Sequence, residues 1–107
     1  MSTNNSSLGA FATELTGVMT GSAVAIGTLA FNPVIIIFDN QGAASVAISV
    51  DGGTTTWRTF PAGEALVLDL RAANGLAANY TFRIGTTFTG TGASGTFSIS
   101  YVYAQYQ

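Results

Sequence analysis

The chain has 107 residues, of which 48% are hydrophobic, so it is long enough and apolar enough for one domain with its own core. Only 7% of the residues are charged; there is no His, Lys or Cys, and the net charge is -2. This composition excludes Ser/His triads, thiol nucleophiles and imidazole or thiolate metal sites, and it provides too few cations to neutralise phosphates. We therefore predict no enzyme activity, no cofactor and no nucleic-acid partner.

Residues 1–22 are rich in Ser, Thr, Asn and Gly, which favours an extended arm preceding a domain over residues 23–107. The arm carries five large apolar side chains, Leu8, Phe11, Leu15, Val18 and Met19. Five such side chains cannot offset a backbone ordering cost of about 1–2 kcal/mol per residue, so we expect an arm that is mobile alone and latches onto a neighbouring subunit. A short helix and a disordered tail are the alternatives.

From residue 23 onward the apolar residues follow a period of two, which predicts β-strands. A strand over 23–31 ends before Pro33, and residues 34–38 are apolar at every position. Such a run predicts a strand that is covered on both faces, by this domain or by a neighbour. We therefore name Val34, Ile36 and Phe38 as candidate interaction residues.

The next stretch predicts a hairpin, because Asp51 and Gly52 follow an alternating run that ends at Val50. A two-residue loop pairs Val46 with Trp57 and directs Trp57 into the core. A three-residue loop would direct Arg58 there instead, at a cost in burying charge, so we favour the first register.

The remaining elements are also strands and turns. Pro61 and Gly63 predict a type I turn, with these residues in its second and fourth positions. The strand after this turn has Leu66 and Leu68 on one face. Three further strands are predicted: one over residues 80–85, a short one after residue 85, and one over residues 96–104. Seven to eight short strands predict an all-β fold, an antiparallel β-sandwich or jelly-roll-like barrel with the N-terminal arm attached.

The few polar residues permit other chemistry, which we consider weaker. Glu64 and Asp69 are conceivable as the acid and base of a glycosidase, but a turn residue and a surface ion pair explain them better. No acidic loop is clustered for Ca²⁺, and the glycine-rich residues 90–95 predict a hairpin loop without the Lys of a phosphate site. Trp57 and the tyrosines would suit a sugar-stacking surface, although a lone Trp in a strand is more often part of a core.

No apolar run approaches the roughly 20 residues of a membrane-spanning helix, and the first residues lack the charge and apolar core of an export signal. We expect no membrane partner and a protein that is made and kept in a cytoplasm.

Residues 45–88 contain "ISVDGGTTTW", a "PAG" turn and "LDLRAAN", in that order. This series resembles small β-sandwich virion structural proteins of tailed bacteriophages, of the capsid decoration, cement or head-tail adaptor type. The resemblance implies a non-enzymatic virion protein made in the host cytoplasm, whose partners are the major capsid protein or other virion subunits.

A surface of Thr, Ser, Ala and Gly has a low desolvation cost when another subunit covers it. This favours a component of a homo-oligomeric assembly. We expect a capsid decoration subunit first, a head-tail connector component second, and a carbohydrate-binding module third.

Overall fold

The computed structural model describes residues 9–12, 14–70 and 82–104, with the side chains of residues 12, 14–70 and 82–103. These residues form strands and no helix, which confirms the all-β prediction, and thus no helix in them could cross a membrane. The strands are β1 (Gly9–Phe11), β2 (Leu15–Val18), β3 (Val24–Thr28), β4 (Pro33–Asn40), β5 (Val46–Ser49), β6 (Thr56–Phe60), β7 (Ala65–Asp69), β8 (Thr87–Gly92) and β9 (Thr96–Ala104).

The strands lie in two antiparallel sheets that enclose one core. In sheet A, β1 and β2 lie end to end along one side of β9, and β4 and β7 follow on the other side. Sheet B has the order β3, β8, β5, β6. Apart from the β1–β2 and β5–β6 links, successive strands of the described residues lie in different sheets, which is the connectivity of a jelly roll. The loop after β8 is therefore a crossing between sheets and not the hairpin loop that we predicted.

The core consists of the side chains that alternate inward from both sheets. Phe38 of β4 is at its centre, fully buried, with ring centroids of four other aromatic residues 5.2–6.0 Å away. Its ring neighbours are Trp57, Phe60, Phe82 and Phe88. Large aromatic and β-branched residues dominate because they suit a pleated surface that is buried on one side.

The N-terminal segment is extended, as predicted, but the expectation that it is mobile alone is wrong for its described part, which joins the sandwich of its own chain. Strand β1 pairs with the last residues of β9, from Gly9↔Ala104 to Phe11↔Val102. Strand β2 pairs with the first residues of β9. Met19, just beyond β2, is only 3% exposed and belongs to the core. Whether the segment also contacts a second subunit stays a prediction, and so does the domain boundary after residue 22.

The β5–β6 hairpin exists, but its register differs from the prediction. Val46 pairs with Phe60 and not with Trp57, and the ladder shifts between Ile48 and Ser49. Trp57 is the extra residue of a β-bulge, because Ile48 pairs with Arg58 and Ser49 with Thr56. Trp57 is partly buried and packs against the core, as predicted.

The turn after β6 is also displaced by one residue. Glu64 N donates to the carbonyl of Pro61 over 3.1 Å, and Gly63 has φ +74°. The turn therefore begins at Pro61 and has Gly63 in its third position, where a type II turn requires positive φ. Our placement of Pro61 and Gly63 in the second and fourth positions of a type I turn is wrong.

The predicted strand over 80–85 is wrong in its described part. Residues 82–86 form a turn in which Thr86 N donates to Arg83 O over 3.0 Å and Gly85 has φ +92°. The side chain of Asn32 holds this turn, because its Oδ1 accepts from Ile84 N over 2.7 Å. Residues 80 and 81 lie outside the described residues.

Candidate functional site

The acidic residue of the β5–β6 loop organises the backbone of that loop. Asp51 Oδ1 accepts hydrogen bonds from Ser49 Oγ at 2.6 Å and from Thr55 N at 2.9 Å. The bond from the Ser49 hydroxyl, followed by the one from the Thr55 amide, lowers the pKa of Asp51 below its ordinary value. Ser49 Oγ also accepts from Gly53 N over 2.9 Å, so both side chains are used within the loop.

The carboxylates that could have formed a glycosidase pair are far apart. Glu64 precedes β7 and pairs with Arg58 over 3.2 Å, whereas Asp69 is the last residue of the strand. Five residues of β-strand separate their backbones by about 16 Å, against roughly 5–9.5 Å for glycosidase carboxylates. Within the described residues, no three His, Cys, Asp or Glu side chains come together as metal ligands.

Arg58 is held beside the core by two contacts. Its guanidinium carbon lies 5.1 Å from the centroid of the Phe60 ring, and its Nη2 donates to Glu64. Its Nε is buried without a hydrogen-bond partner. The bulge at Trp57 explains this position, because Arg58 and Trp57 share the space opposite Ile48.

The structure separates the predicted interaction residues into several environments. Met19, Ile36 and Phe38 are buried in the core of their own chain, and Leu15 packs against that core. Val34 is half-buried, and Val18 is 61% exposed at the end of β2. Phe11 pairs with Val102 in the β1–β9 ladder, and its side chain, like the whole of Leu8, lies outside the described residues.

The outer face of sheet A carries a contiguous apolar surface, which we call the outer stripe: Ile35, Ile37, Val67 and Val102. Ile37 pairs directly with Val67, and Ile35 pairs with Val102. Ile35 and Ile37 share this face because they are two residues apart in one strand. Val67 is 59% exposed and the other three are half-buried.

We did not single out the outer stripe from the sequence, although the signal for it is present. In the run over residues 34–38, the buried Ile36 and Phe38 face inward, so the residues that alternate with them, Ile35 and Ile37, face outward. Our interpretation selected the inward set as the interaction residues.

A second exposed apolar group lies at the end of the sandwich where β3 and β9 terminate. Phe31 is 42% exposed and stacks on Tyr103, with ring centroids 3.9 Å apart and planes at 8°. Ile84, 60% exposed, lies in the neighbouring turn, which Asn32 ties to the Phe31 loop. Tyr101 Oη accepts from Ala30 N at 2.8 Å and so fixes the same loop.

The aromatic residue that could have formed a sugar platform is engaged in packing. The Trp57 ring lies 5.2 Å from Phe38 and 5.3 Å from Phe82, the latter edge to face at 88°. It also approaches Phe60 at 6.2 Å. A platform needs an open ring face, and three neighbouring rings leave Trp57 little of one.

No family model and no curated protein matches the chain. Among solved structures, the chain is similar to a protein of the Bacillus endospore appendages, which are described as a novel family of disulfide-linked pili. The identity is 16%, the match covers 94% of this chain and 93% of the other, and the TM-score is 0.44. At this TM-score the likeness carries no conclusion about function.

Proposed function

We propose that the chain is a non-enzymatic structural subunit of a larger assembly, and specifically a decoration or cement subunit on a phage capsid. The observation that supports assembly is the outer stripe. Its four apolar residues are contiguous on the open side of sheet A, and Val67 is more than half exposed. Contiguous apolar surface of this kind is typical of protein contact sites, whereas isolated apolar residues are ordinary.

The composition keeps the desolvation cost of association low. With 7% charged residues, a contact on this chain desolvates few ions, and on the outer face of sheet A these are Asp39 and Asp69, which pair with Ala65 and Ile35. The same scarcity of charge lowers the solubility of a free monomer, because net charge and charged side chains keep proteins apart. Both effects favour a protein that spends its working life in contact with other subunits.

The virion assignment rests on the resemblance of residues 45–88 to small virion proteins. In that setting the major capsid protein, or another virion subunit, is the partner, and the assembled virion is the location. The described fold suits such a part, since a jelly roll is used in viral capsid domains.

The test is to locate the chain in particles from cells that carry its gene, by antibody labelling and electron cryo-microscopy. Particles from cells in which the gene is deleted are the matched control. Regular positions over the whole shell would support a decoration subunit, and one ring at a single vertex would favour the head-tail connector instead. Purified particles that lack the chain would contradict the virion assignment.

A further inference from the structure

Strand β7 is the one regular outer strand in the described part of the sandwich. The outer strand β3 has a register shift between Ala25 and Gly27, and β6 contains the bulge at Trp57. The third outer position is divided between β1 and β2. By contrast, β7 pairs with β4 without a shift, from Ala65 to Asp69. Bulges, breaks, Pro and charged side chains are the usual protections of a sheet edge, and of these β7 has only the charge of Asp69, at its end.

The hydrogen-bond pattern shows which backbone groups β7 directs outward. Asn40 N donates to Glu64 O, and Leu70 N donates to Val34 O, so the even-numbered residues of this segment bond to β4. Alternate residues of an antiparallel strand point their N–H and C=O groups in opposite directions. Ala65 and Val67 therefore present their N–H and C=O groups away from β4, and within the described residues no strand lies on that side.

We propose that β7 pairs with β7 of a second copy, antiparallel, about a two-fold axis that passes beside Val67. The proposal deepens the proposed function, on which it rests, by naming one partner of the assembling surface. In this arrangement Val67 lies opposite Val67 of the second copy, and Ala65 lies opposite Asp69 of the second copy. The two sheets A become one continuous sheet.

The edge is self-complementary in this register. A two-fold contact must match a surface to itself, and an axis at Val67 pairs the two exposed valines, whereas an axis at Leu66 or Leu68 would pair Val67 with Ala65 or with Asp69. It also places no two acidic residues directly opposite each other, since Asp69 meets Ala65, beyond which lies Asp39, and Glu64 meets Leu70. A two-fold axis at Asp69 would place two carboxylates opposite each other, which is destabilising. An axis at Ala65 would bring Val67 against Gly63 of the turn.

The pairing also extends the outer stripe. Ile37 and Val67 are already cross-strand neighbours, so the second copy would continue the row with its own Val67 and Ile37. The exposed Val67 would then be enclosed by apolar side chains on both sides. Five residues of strand make a small contact, so we expect a reversible dimer that offers a wider apolar face to a third partner.

The direct test is cross-linking through a single cysteine, because the natural chain has none. Paired residues that exchange hydrogen bonds have Cα atoms about 5.5 Å apart, which is within disulfide range. We expect full-length Val67→Cys to form a covalent dimer under mild oxidation. Val18→Cys, with a similarly exposed position in β2, is the matched control and should stay at background. Equal cross-linking of the two variants, or none of Val67→Cys, would overturn the pairing.

A second measurement removes one hydrogen bond donor and leaves the β4–β7 ladder intact. Val67→Pro deletes an N–H that points away from β4, and by symmetry two donors are lost from each dimer. We expect sedimentation equilibrium to show dimerisation weakened by roughly tenfold to a hundredfold, with the far-UV spectrum unchanged. Val18→Pro is the control, because Met19 N donates to Gly95 O and the Val18 N–H thus points away from β9.

The outcomes separate this proposal from the proposed function. A wild-type protein that is monomeric at every concentration, or that forms an open-ended series of larger species, would overturn the two-fold pairing. Particles that still carry Val67→Pro at regular shell positions would leave the decoration function intact. A dimer in solution, together with particles that carry no copy of the chain, would support the two-fold pairing and overturn the decoration function.

Discussion

Replacing Phe38 with Ala should be among the most damaging single changes to this fold. Phe38 is fully buried, and its ring lies within 6.0 Å of four other rings. Truncating a buried Phe to Ala costs about 3–5 kcal/mol, and aromatic pairs contribute about 0.5–1.5 kcal/mol each beyond area burial. We therefore expect Phe38→Ala to lower the free energy of unfolding by about 5 kcal/mol, the upper end of this range, and the melting temperature by about 20 °C.

The assay is urea and thermal unfolding followed by the fluorescence of Trp57, the single Trp of the chain, whose ring is 5.2 Å from Phe38. Phe31→Ala is the matched control, since Phe31 is 42% exposed and stacks only at the end of the sandwich. We expect the control to cost about 1 kcal/mol. If the two variants unfold within about 1 kcal/mol of each other, the aromatic centre that we describe is refuted.

Three further predictions concern the turns and the N-terminal segment. Asn40→Ala should cost about 2–4 kcal/mol in urea unfolding, because the buried Nδ2 donates to the carbonyls of Ala44, Phe60 and Pro61; a loss under 1 kcal/mol would contradict this. A protein that begins at residue 23 should melt at least about 10 °C lower, because it loses β2 and the buried Met19; unchanged melting would show that the segment is dispensable. The folded-state pKa of Asp51 is lowered, so its contribution to stability is present above its unfolded pKa and disappears as pH falls through the folded value; the stability of Asp51→Asn should therefore vary less with pH below about 4, and identical acid profiles would exclude this.

The strands that the sequence predicts well are those with strict alternation or a long apolar run. Residues 34–38 fall in β4, the apolar series from Val46 falls in β5, and residues 96–104 are β9. Period-two patterns survive in the structure because one face of each strand is buried in the core.

The details that differ depend on contacts between distant residues. A bulge at Trp57 changes the register of β5 and β6, and nothing in the local sequence separates it from the shorter loop. The alternation near Ile84 predicts a strand, but the structure has a turn there. The side chain of Asn32, which is 52 residues away in the sequence, holds this turn. The pairing of β2 with β9 is a contact between the two ends of the chain, which periodicity cannot predict.

The candidate surface lies on β4, the strand that we predicted to be covered on both faces, but it is formed by other residues of that strand than those we named. Ile36 faces the core, whereas Ile35 and Ile37 face outward. In a run that is apolar at every position, the sequence does not show which alternate residues face the core. Only the pairing with β7 and β9 assigns the two faces of the strand.

In the function that we propose, another subunit covers the outer stripe of the chain. The most direct measurement is a near-atomic electron cryo-microscopy map of the native assembly, isolated intact from cells that make the protein. We predict that density of another chain covers Ile35, Ile37, Val67 and Val102 in every copy. A map in which these four side chains face open solvent would contradict the account.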